Sequence, residues 1–370
     1  MITGLSNGGA EGVLYRLCKY DKACTHLVVS LTDEGKYGPL LGKENIQVIC
    51  LNMKPGRVSI SGLIKLFFLL RKEKADIVQT WMYHADLIGG IIAKLSGCKS
   101  IFWNVRHSTL EPGKSKRLTI WIAKACAFIS NWVPKKIVYC ASNAKKIHCL
   151  LGYKAEKSVV IGNGYDLNLF NNNYFSREGF RKEFNFMEET FVIGMIGRYN
   201  IQKDHLNLIS SLSLVKSAGY SFKAVLVGNN IDEANDELIN EVNRHYLADS
   251  IFYLGPRGDI PCVMNGLDIN VLSSSFGEAF PNVLAESMAC GTPCVTTDVG
   301  DAALIVGATG WVVPIKNSKL LAEAIIQAID EWREKKRAWQ LRKNACRQRA
   351  ADLFKVETMI ERYHNCWFKK

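Results

Sequence analysis

Residues 273–293 read SSSFGEAFPNVLAESMACGTP, and this stretch carries the strongest structural signal in the chain. It follows an apolar run that ends at Leu272 and has the length of a buried strand. Pro281 is placed to open a helix, because its fixed φ and missing N–H cost nothing in the first helical turn. The sequence therefore predicts a strand, a loop and a helix in succession, which is the repeating unit of a parallel α/β sheet.

The start of this helix is a predicted anion site. The amides of Asn282 and Val283 have no acceptor within a helix that starts here, and the helix dipole places positive charge beside them. Glu286 follows Asn282 by four residues, on the same face and about 6 Å along the axis. Its carboxylate is therefore placed to accept ribose hydroxyls when a phosphate occupies the helix start. Glu278 precedes the helix and is placed to reach a sugar hydroxyl beyond the phosphates.

Both glutamates have an alternative interpretation as solvated acids that the helix dipole stabilises. The residues around them favour a binding site, because Gly277, Pro281 and Gly291 mark turns that fix the loop and the helix.

A second part of the predicted site follows another apolar run, at residues 191–196. Arg198 comes at the end of this run, and Lys203 lies five residues on, at a predicted helix start. Two cations at the carboxyl end of a strand suit a diphosphate, which Arg binds as a fork and Lys as a point charge.

The first half of the chain offers weaker signals. Gly8 and Gly9 precede a predicted helix, and paired glycines allow a backbone to approach a ligand closely. His107 follows the apolar run 101–104, again at the carboxyl end of a predicted strand. A buried, hydrogen-bonded histidine is the alternative interpretation of His107, and His84 has the same status with weaker support.

Val- and Ile-rich runs alternate with helical patterns along the whole chain, which predicts parallel sheets covered by helices on both faces. The predicted strands are 25–30, 46–51, 77–81, 101–104, 137–140, 158–161, 191–196, 222–227, 251–254, 269–272 and 293–297. The expected fold class is α/β, with two Rossmann-like doubly wound domains facing across a cleft. Only residues 1–3 precede the first turn, so either the first strand is very short or the chain begins a few residues late.

Domain boundaries follow from changes in pattern. Residues 1–170 are predicted to form the first domain and residues 190–350 the second. Between them, residues 171–189 are polar, contain three successive asparagines and have no strand pattern, so we interpret them as a linker. The end of the chain is wholly helical in pattern, and residues 351–370 are predicted to be a helix that returns to the first domain.

Composition and charge exclude several classes of protein. The chain has 370 residues, 48% of them hydrophobic, which suits two folded domains and excludes a disordered tail. Its net charge of +12 is uneven: residues 1–160 carry 24 Lys/Arg and 10 Asp/Glu, residues 161–330 carry 11 and 20, and residues 331–370 carry 12 and 5. This asymmetry indicates two bodies with different partners.

The twelve cysteines form no CxxC pair and no Cys/His cluster with zinc spacing. The chain has no apolar run of about 18 residues and no secretory signal at its start. We therefore expect a cytoplasmic protein with reduced thiols.

Five segments together resemble glycosyltransferase family 4, the retaining enzymes of the GT-B fold. They are NGGAE at 7–11, NVRHS at 104–108, IGNGYDLNLF at 161–170, GRYNIQKDH at 197–205 and GEAFPNVLAESMACGTPCVTTDVGDAALIVGATGWVVP at 277–314. The pair Glu278 and Glu286, with seven residues between them, is the family signature. The sequence is most similar to members that act in bacterial surface-polysaccharide synthesis, of O-antigen or capsule.

The resemblance implies a role for each matching residue. Arg198 and Lys203 would bind the donor diphosphate, Glu286 would hold the ribose, and Glu278 would contact the donor sugar. His107 would lie beside the anomeric side of the sugar, which completes a catalytic set with Glu278, Arg198 and Lys203. The other implied donor contacts are Gly8, Gly9, Arg257, Phe280, Pro281, Asn282 and Val283. One departure is the run Gly228-Asn229-Asn230, where the family often has Gly-x-Gly.

The resemblance also implies the substrates. The donor would be a nucleotide-diphosphate sugar, with UDP favoured over GDP, and the acceptor, bound by the first domain, would be a glycan carried on polyprenyl diphosphate. No Asp-x-Asp motif occurs in the sequence, so neither a bound metal nor a cofactor is expected. Arg198, Lys203 and the helix start would instead stabilise the leaving nucleotide diphosphate.

Residues 112–155 contain nine Lys/Arg and no acid, with Trp121, Phe128 and Trp132 interleaved. One interpretation is a core-facing helix with a solvated basic side. The other is a surface that lies on anionic lipid at the cytoplasmic face of the inner membrane, where a lipid-linked acceptor would be met.

Other functions fit the sequence less well. A nucleic-acid-binding protein would explain the basic charge but not Glu278, Glu286 or the acidic second domain, so no nucleic-acid partner is expected. A nucleotide-sugar epimerase or a sugar phosphorylase would share the architecture and stays open as an alternative. A catalytically dead binding subunit is disfavoured because Arg198, Lys203 and Glu286 are all present.

Overall fold

The computed structural model describes residues 1–54, 59–110 and 115–369, and it divides the chain into two compact units. The first unit comprises Met1–Gly164 together with Val356–Lys370, and the second unit comprises Tyr165–Lys355. Each unit has its own parallel strands and its own hydrophobic core. The prediction of two Rossmann-like domains is confirmed.

The strands of the first unit are all parallel and form two groups. Ile2 lies between the groups, with single parallel bridges to Ser30 on one side and Trp81 on the other. Within the described residues, the expected short first strand is therefore reduced to the single residue Ile2. One group pairs β1 (Leu27–Ser30) with β2 (Gln47–Cys50), and the other has the order β3 (Val78–Gln79), β4 (Ile101–Val105), β5 (Lys136–Tyr139) and β6 (Ser158–Val160).

Helices cover these strands, and local residues fix where some of them begin and end. The helix that starts at Ile60 is capped by Ser59, whose side chain accepts the amide of Gly62. Another ends at Gly152, where a φ of +109° suits a residue without a Cβ. The helices of the first unit are α1 (Gly9–Tyr20), α2 (Tyr37–Lys43), α3 (Ile60–Glu73), α4 (Gly90–Leu95), α5 (Arg117–Ile129), α6 (Ser142–Leu151) and α15 (Val356–Phe368), with a π-helical turn at Ala85–Gly89 and a 3₁₀ turn at Ala155–Lys157.

The last helix of the chain belongs to the first unit. Its buried residues Val356, Met359 and Tyr363 recur at helical spacing and share one apolar cluster with Val13 and Leu17 of α1. The end of the chain is helical as predicted, but as three helices, because helical structure breaks at Lys335 and Lys355.

The second unit is a six-stranded parallel sheet with the order β9-β8-β7-β10-β11-β12. Its strands are β7 (Val192–Ile196), β8 (Lys223–Val227), β9 (Ile251–Tyr253), β10 (Ile269–Leu272), β11 (Cys294–Thr297) and β12 (Trp311–Val313). Its helices are α7 (Tyr174–Glu183), α8 (His205–Ser217), α9 (Asp236–Arg244), α10 (Ile260–Gly266), α11 (Asn282–Ala289), α12 (Ala302–Val306), α13 (Ser318–Glu334) and α14 (Lys336–Phe354), with a 3₁₀ turn at Gly307–Thr309.

The central strand β7 shows how both faces of this sheet are covered. All five of its residues are buried. Ile193 and Met195 belong to one apolar cluster, and Val192 and Ile196 belong to another. Because successive side chains of a strand point to opposite faces, the two clusters are the cores on the two sides of the sheet.

The structure differs from the prediction in two places. All eleven predicted strands are present, but β12 was missed because it has only three residues, of which one is buried. Residues 171–189 are not a linker between domains, since they contain α7, whose Phe180 is fully buried in the second unit. The boundary lies earlier, at Gly164 and Tyr165.

Candidate active site

The strand order of the second unit places a site at its centre. Counted from β7, the order is 3-2-1-4-5-6, so the direction of winding reverses between β7 and β10. Ligands of such sheets bind beyond the carboxyl ends of the strands at this reversal. The segment that carries Arg198 and Lys203 follows β7, and the segment that carries Glu278 follows β10. The fold therefore brings the two predicted parts of the site together.

Glu278 is the centre of a polar network. Its Oε1 accepts hydrogen bonds from Lys203 Nζ at 2.6 Å, from Ser274 Oγ at 2.9 Å and from Gln202 Nε2 at 3.4 Å. Only 9% of Glu278 is exposed, and a buried carboxylate requires such donors. Sequence reasoning gave Lys203 and Glu278 separate roles, whereas the structure makes them a charge-assisted pair.

Further hydrogen bonds tie the two loops to each other. Ser273 Oγ lies 2.9 Å from the carbonyl of Lys203 and 3.0 Å from that of Asp204, and it donates to them. The amide of Ser275 donates to the carbonyl of Gln202 at 2.9 Å. The distance between Lys203 and Glu278 is thus set by backbone contacts as well as by the ion pair.

Two glycines fix the loop that carries Glu278. Gly277 has a φ of +80°, and a Cβ there would lie 2.8 Å from Gln202 Cδ. Gly300 has a φ of +61°, and a Cβ there would lie 2.3 Å from the carbonyl oxygen of Glu278. Both positions exclude an ordinary side chain, by backbone conformation and by space.

Arg198 is exposed and borders an open cavity of about 610 Å³, which Asn229 and Asn230 also line. It has no ion pair in the part of the chain that the structure describes. Asn230 has a φ of +59°, a left-handed conformation that asparagine tolerates better than most residues. In the run Gly228-Asn229-Asn230, Asn230 stands where the family often has its second glycine.

Helix α11 begins at Asn282, directly after Pro281, so the predicted helix is present and starts one residue late. Asn282 Oδ1 accepts the hydroxyl of Tyr165, which fixes the first residue of the helix. Val283 and Glu286 are both half-buried, with Glu286 one turn beyond Asn282. The first-turn amides and the dipole of α11 provide a positive end beside the loop of Glu278.

Two predicted donor contacts have other partners. Arg257 donates to Glu183 at 2.6 Å and to both carboxylate oxygens of Asp259 at 2.7 and 2.8 Å, and these bonds raise the pKa of its guanidinium. This arrangement differs from the predicted role, because the charge of Arg257 is already bound by two carboxylates. The ring of Phe280 packs edge-on against that of Phe354, with 5.4 Å between the ring centroids, and its predicted contact, the backbone amide, stays a prediction.

In the first unit, Gly8 caps α1 and Gly9 is its first residue. A Cβ on Gly8 would lie 2.3 Å from Oε2 of Glu11, whose carboxyl folds back over the helix start and also accepts Ser6 Oγ at 3.3 Å. Burial raises the pKa of Glu11. Sequence reasoning missed Glu11, although its place three residues after the cap is a known capping position.

His107 lies just past the end of β4 and is half-buried. Its Nε2 is 3.1 Å from Ser115 Oγ, and its ring meets that of Tyr83 edge-on at 6.1 Å. Burial lowers the pKa of His107, so the imidazole is neutral at pH 7. The neighbouring Arg106 is a packing residue, since it stacks on Trp81 and donates to the hydroxyl of Tyr363 at 2.8 Å.

Two family models match successive halves of the chain. The model described as Glycosyltransferase Family 4 matches residues 7–169, and the model described as Glycosyl transferases group 1 matches residues 176–348. Together they cover both units and every predicted site residue.

The chain is a glycosyltransferase, with a Family 4 domain followed by a group 1 domain.

Curated relatives of this glycosyltransferase carry specific names. This chain is 24% identical to an Escherichia coli UDP-Gal:alpha-D-GlcNAc-diphosphoundecaprenol alpha-1,3-galactosyltransferase, over 86% of this chain and 81% of that protein. It is 25% identical to a Campylobacter jejuni N,N'-diacetylbacillosaminyl-diphospho-undecaprenol alpha-1,3-N-acetylgalactosaminyltransferase, over 96% of this chain and 94% of that protein.

A solved structure has the same fold over the whole chain. The HepE protein of Anabaena, in complex with UDP and glucose, superposes with a TM-score of 0.84 and 22% identity, and covers 100% of this chain and 99% of that one. The glycosyltransferase is thus of the GT-B type, as the sequence predicted.

Sequence reasoning missed Gln202 and Ser274 as parts of the site. The run Ser273-Ser274-Ser275 at the end of a predicted strand was a signal that could have indicated Ser274. Gln202 gave no such signal, because its role depends on a contact with Glu278, 76 residues away in sequence. The assigned roles of Glu278, Glu286, Arg198, Lys203 and His107 stay predictions.

Proposed function

We propose that this glycosyltransferase moves a sugar, with retention of anomeric configuration, from a nucleotide-diphosphate sugar to a glycan on polyprenyl diphosphate, during synthesis of a cell-surface polysaccharide. The observation that carries the proposal is the arrangement at the carboxyl ends of β7 and β10, where Lys203 pairs with Glu278. The loop beyond β7 also carries Arg198, and α11 starts four residues after Glu278. The names of the Escherichia coli and Campylobacter jejuni relatives support the acceptor class, and the HepE complex supports UDP as the nucleotide.

The proposed chemistry needs neither a metal ion nor a covalent nucleophile. The bond between the anomeric carbon and the diphosphate oxygen breaks while an acceptor hydroxyl attacks from the same face. The acceptor proton passes to the leaving phosphate oxygen, so atoms and charge balance. Arg198, Lys203 and the first-turn amides of α11 stabilise the charge that develops on the diphosphate.

One feature of each unit suits this reaction. Glu278 holds the Lys203 ammonium at 2.6 Å, so the cation is positioned before a donor binds. His107 offers a neutral imidazole, because burial lowers its pKa, and it can therefore hydrogen-bond a sugar hydroxyl without adding charge.

The donor site is tested by Glu286→Gln, with UDP-sugar binding followed by calorimetry in excess EDTA. We expect the Kd to rise about tenfold, since an amide replaces the carboxylate that accepts the ribose hydroxyls. The control is Glu323→Gln, an exposed glutamate of α13, which should bind like the wild type.

Three outcomes would contradict the proposal. An unchanged Kd in Glu286→Gln would show that Glu286 does not hold the ribose of the donor. Wild-type binding or transfer that EDTA abolishes and Mg²⁺ restores would contradict the metal-free chemistry. Conversion of the donor sugar without any acceptor would instead indicate an epimerase.

The first unit has the surface expected of a protein that meets a lipid-linked acceptor. Arg117, Trp121, Lys124 and Phe128 share one face of α5. Trp121 and Phe128 are 70% and 74% exposed. The helix does face the core, but with Ala123, Cys126 and Ala127 and not with these aromatic residues. Residues 112–114 of the basic segment lie outside the described residues.

No helix in the described ranges is both long and apolar enough to cross a bilayer. We propose peripheral binding to anionic lipid at the cytoplasmic face of the membrane.

Flotation with vesicles tests this surface. We expect binding to vesicles with anionic lipid, weak binding to neutral ones, and a loss of about tenfold in the double variant Trp121→Ala/Phe128→Ala, because both side chains lose apolar area that would enter the interface. The matched control is Tyr174→Ala/Phe175→Ala, an exposed aromatic pair on α7. Equal binding to neutral and anionic vesicles would contradict the proposal.

A further inference from the structure

Four side chains with metal-ligating atoms meet in the first unit, away from the predicted active site. Asp21 directly follows α1, Cys24 and His26 lie in the segment that leads to β1, and His364 lies on α15. Because His364 is 340 residues from Cys24 in sequence, no zinc spacing could be recognised from the sequence.

The cluster is organised around one carboxylate oxygen. Asp21 Oδ2 is 3.1 Å from His26 Nε2 and 2.9 Å from His364 Nε2. Its other oxygen, Oδ1, accepts the amide of Ala23 at 3.1 Å, which orients the carboxylate. Cys24 Sγ is 3.8 Å from His364 Nε2. Ligand atoms of Asp21, Cys24 and His364 all lie within 4.8 Å of one another.

The separation of Cys24 and His364 is close to that of two ligands in a tetrahedral metal site. A zinc ion with a Zn–S bond of about 2.3 Å and a Zn–N bond of about 2.0 Å separates sulfur from nitrogen by roughly 3.5 Å. The observed distance between Cys24 Sγ and His364 Nε2 is 3.8 Å. The Asp21 side chain is 1% exposed, whereas those of His26 and His364 are 16% and 26% exposed, so the cluster is buried on one side and open on the other.

The open side faces a cavity. Cys24 and His26 line a space of about 450 Å³ together with Trp367 and Phe368 of the last helix. A metal site requires such an entry path.

We propose that Asp21, Cys24 and His364 bind a divalent transition-metal ion of the zinc class, and that the side chain of His26, which contacts Asp21, reorients to become the fourth ligand. One thiolate, two imidazoles and one carboxylate suit Zn²⁺ or Co²⁺, and they do not suit Mg²⁺ or Ca²⁺, which take oxygen ligands. Binding displaces one proton from the Cys24 thiol as the metal–sulfur bond forms. The ion would fasten α15, the last helix of the chain, to the segment between α1 and β1.

The experiment titrates Co²⁺ into the chelator-treated full chain and follows its absorption. We expect one equivalent of Co²⁺ to give the thiolate charge-transfer and visible bands of a tetrahedral site, and Zn²⁺ to displace it. Zn²⁺ at about 100 times its Kd should raise the Tm by about 5 °C. This readout does not depend on transferase activity, so its failure is distinct from failure of the proposed function.

Variants separate the cluster from other thiols and histidines. Cys24→Ser should lose the charge-transfer band, and His364→Gln should lose the tetrahedral spectrum. Cys98→Ser and His245→Gln are the controls, because Cys98 is another half-buried thiol of the same unit and His245 pairs with Glu241 at 3.2 Å without a cysteine. Circular dichroism of the metal-free variants checks that each is folded.

Two results would overturn the proposal. Absence of a tetrahedral cobalt spectrum in the wild type would mean that the cluster is an ion pair of Asp21 with His26 and His364 alone. An unchanged spectrum in Cys24→Ser would place the bound cobalt elsewhere.

Discussion

The variant Lys203→Met lowers kcat for sugar transfer by about 10²–10³-fold, which is the expected loss when one preorganised charge is removed from a developing oxyanion. Lys203 lies 2.6 Å from Glu278, on the loop beyond β7. Methionine keeps most of the volume of the side chain but cannot donate to a phosphate. The measurement is kcat and KM for UDP-sugar, with Lys216→Met as the control, since Lys216 is an exposed lysine of α8, the helix that follows the Lys203 loop.

The same substitution also affects stability, and this effect can be separated. Without Lys203, the buried carboxylate of Glu278 loses its charged donor while the neutral donors Ser274 and Gln202 remain, which costs about 1–3 kcal/mol. In Lys203→Met/Glu278→Gln the carboxylate is gone, so the Tm should recover toward that of the wild type while transfer stays lost. Recovery of activity together with the Tm would show that Lys203 acts only as a structural partner of Glu278.

The variant Gly300→Ala is expected to destabilise the second unit by about 3 kcal/mol and to remove donor binding. The φ of +61° at Gly300 disfavours any residue with a Cβ. A Cβ there would lie 2.3 Å from the carbonyl oxygen of Glu278 and 2.7 Å from that of Ala279. Both atoms are backbone, so the loop itself must move. Thermal unfolding and UDP-sugar calorimetry measure the two effects.

The control for this loop is Gly219→Ala. Gly219 has a φ of +88°, but a Cβ there would meet no atom within 4 Å. The substitution Gly219→Ala should therefore lower the free energy of unfolding only by the backbone strain, about 1 kcal/mol, and should leave donor binding unchanged. Equal effects of the two substitutions would mean that contact with the Glu278 loop is not what Gly300 preserves.

Much of the fold could be predicted because its signals are local. Strands such as β7 and β10 are buried on both faces and read as continuous apolar runs. Helix α7 could not be recognised from the sequence, because Phe180 and Arg181 are its only buried residues. The buried Arg181 is held by a salt bridge to Asp268, 87 residues away. A polar helix of this kind has no apolar stripe to recognise.

The residues of the predicted site also divide into those with local sequence signals and those whose contacts depend on packing. Glu278, Glu286 and Lys203 could be chosen because strand ends and a helix start give meaning to single residues. The contacts of Arg257 could not be predicted because its partner Glu183 lies on the helix that was taken for a linker. Its charge is bound by acids that only the folded chain brings to it.

The amino-acid sequence alone determined the fold class, the order of the strands along the chain and the residue types available for binding a diphosphate. Those properties depend on periodicity and on residues close to one another in sequence. Only the tertiary structure decided that Lys203 pairs with Glu278, that Trp121 and Phe128 are exposed, and that His364 joins Asp21 and Cys24. These contacts join segments far apart in the chain, and hydrogen bonds and ion pairs act over a few ångströms, so their partners are set by packing rather than by spacing.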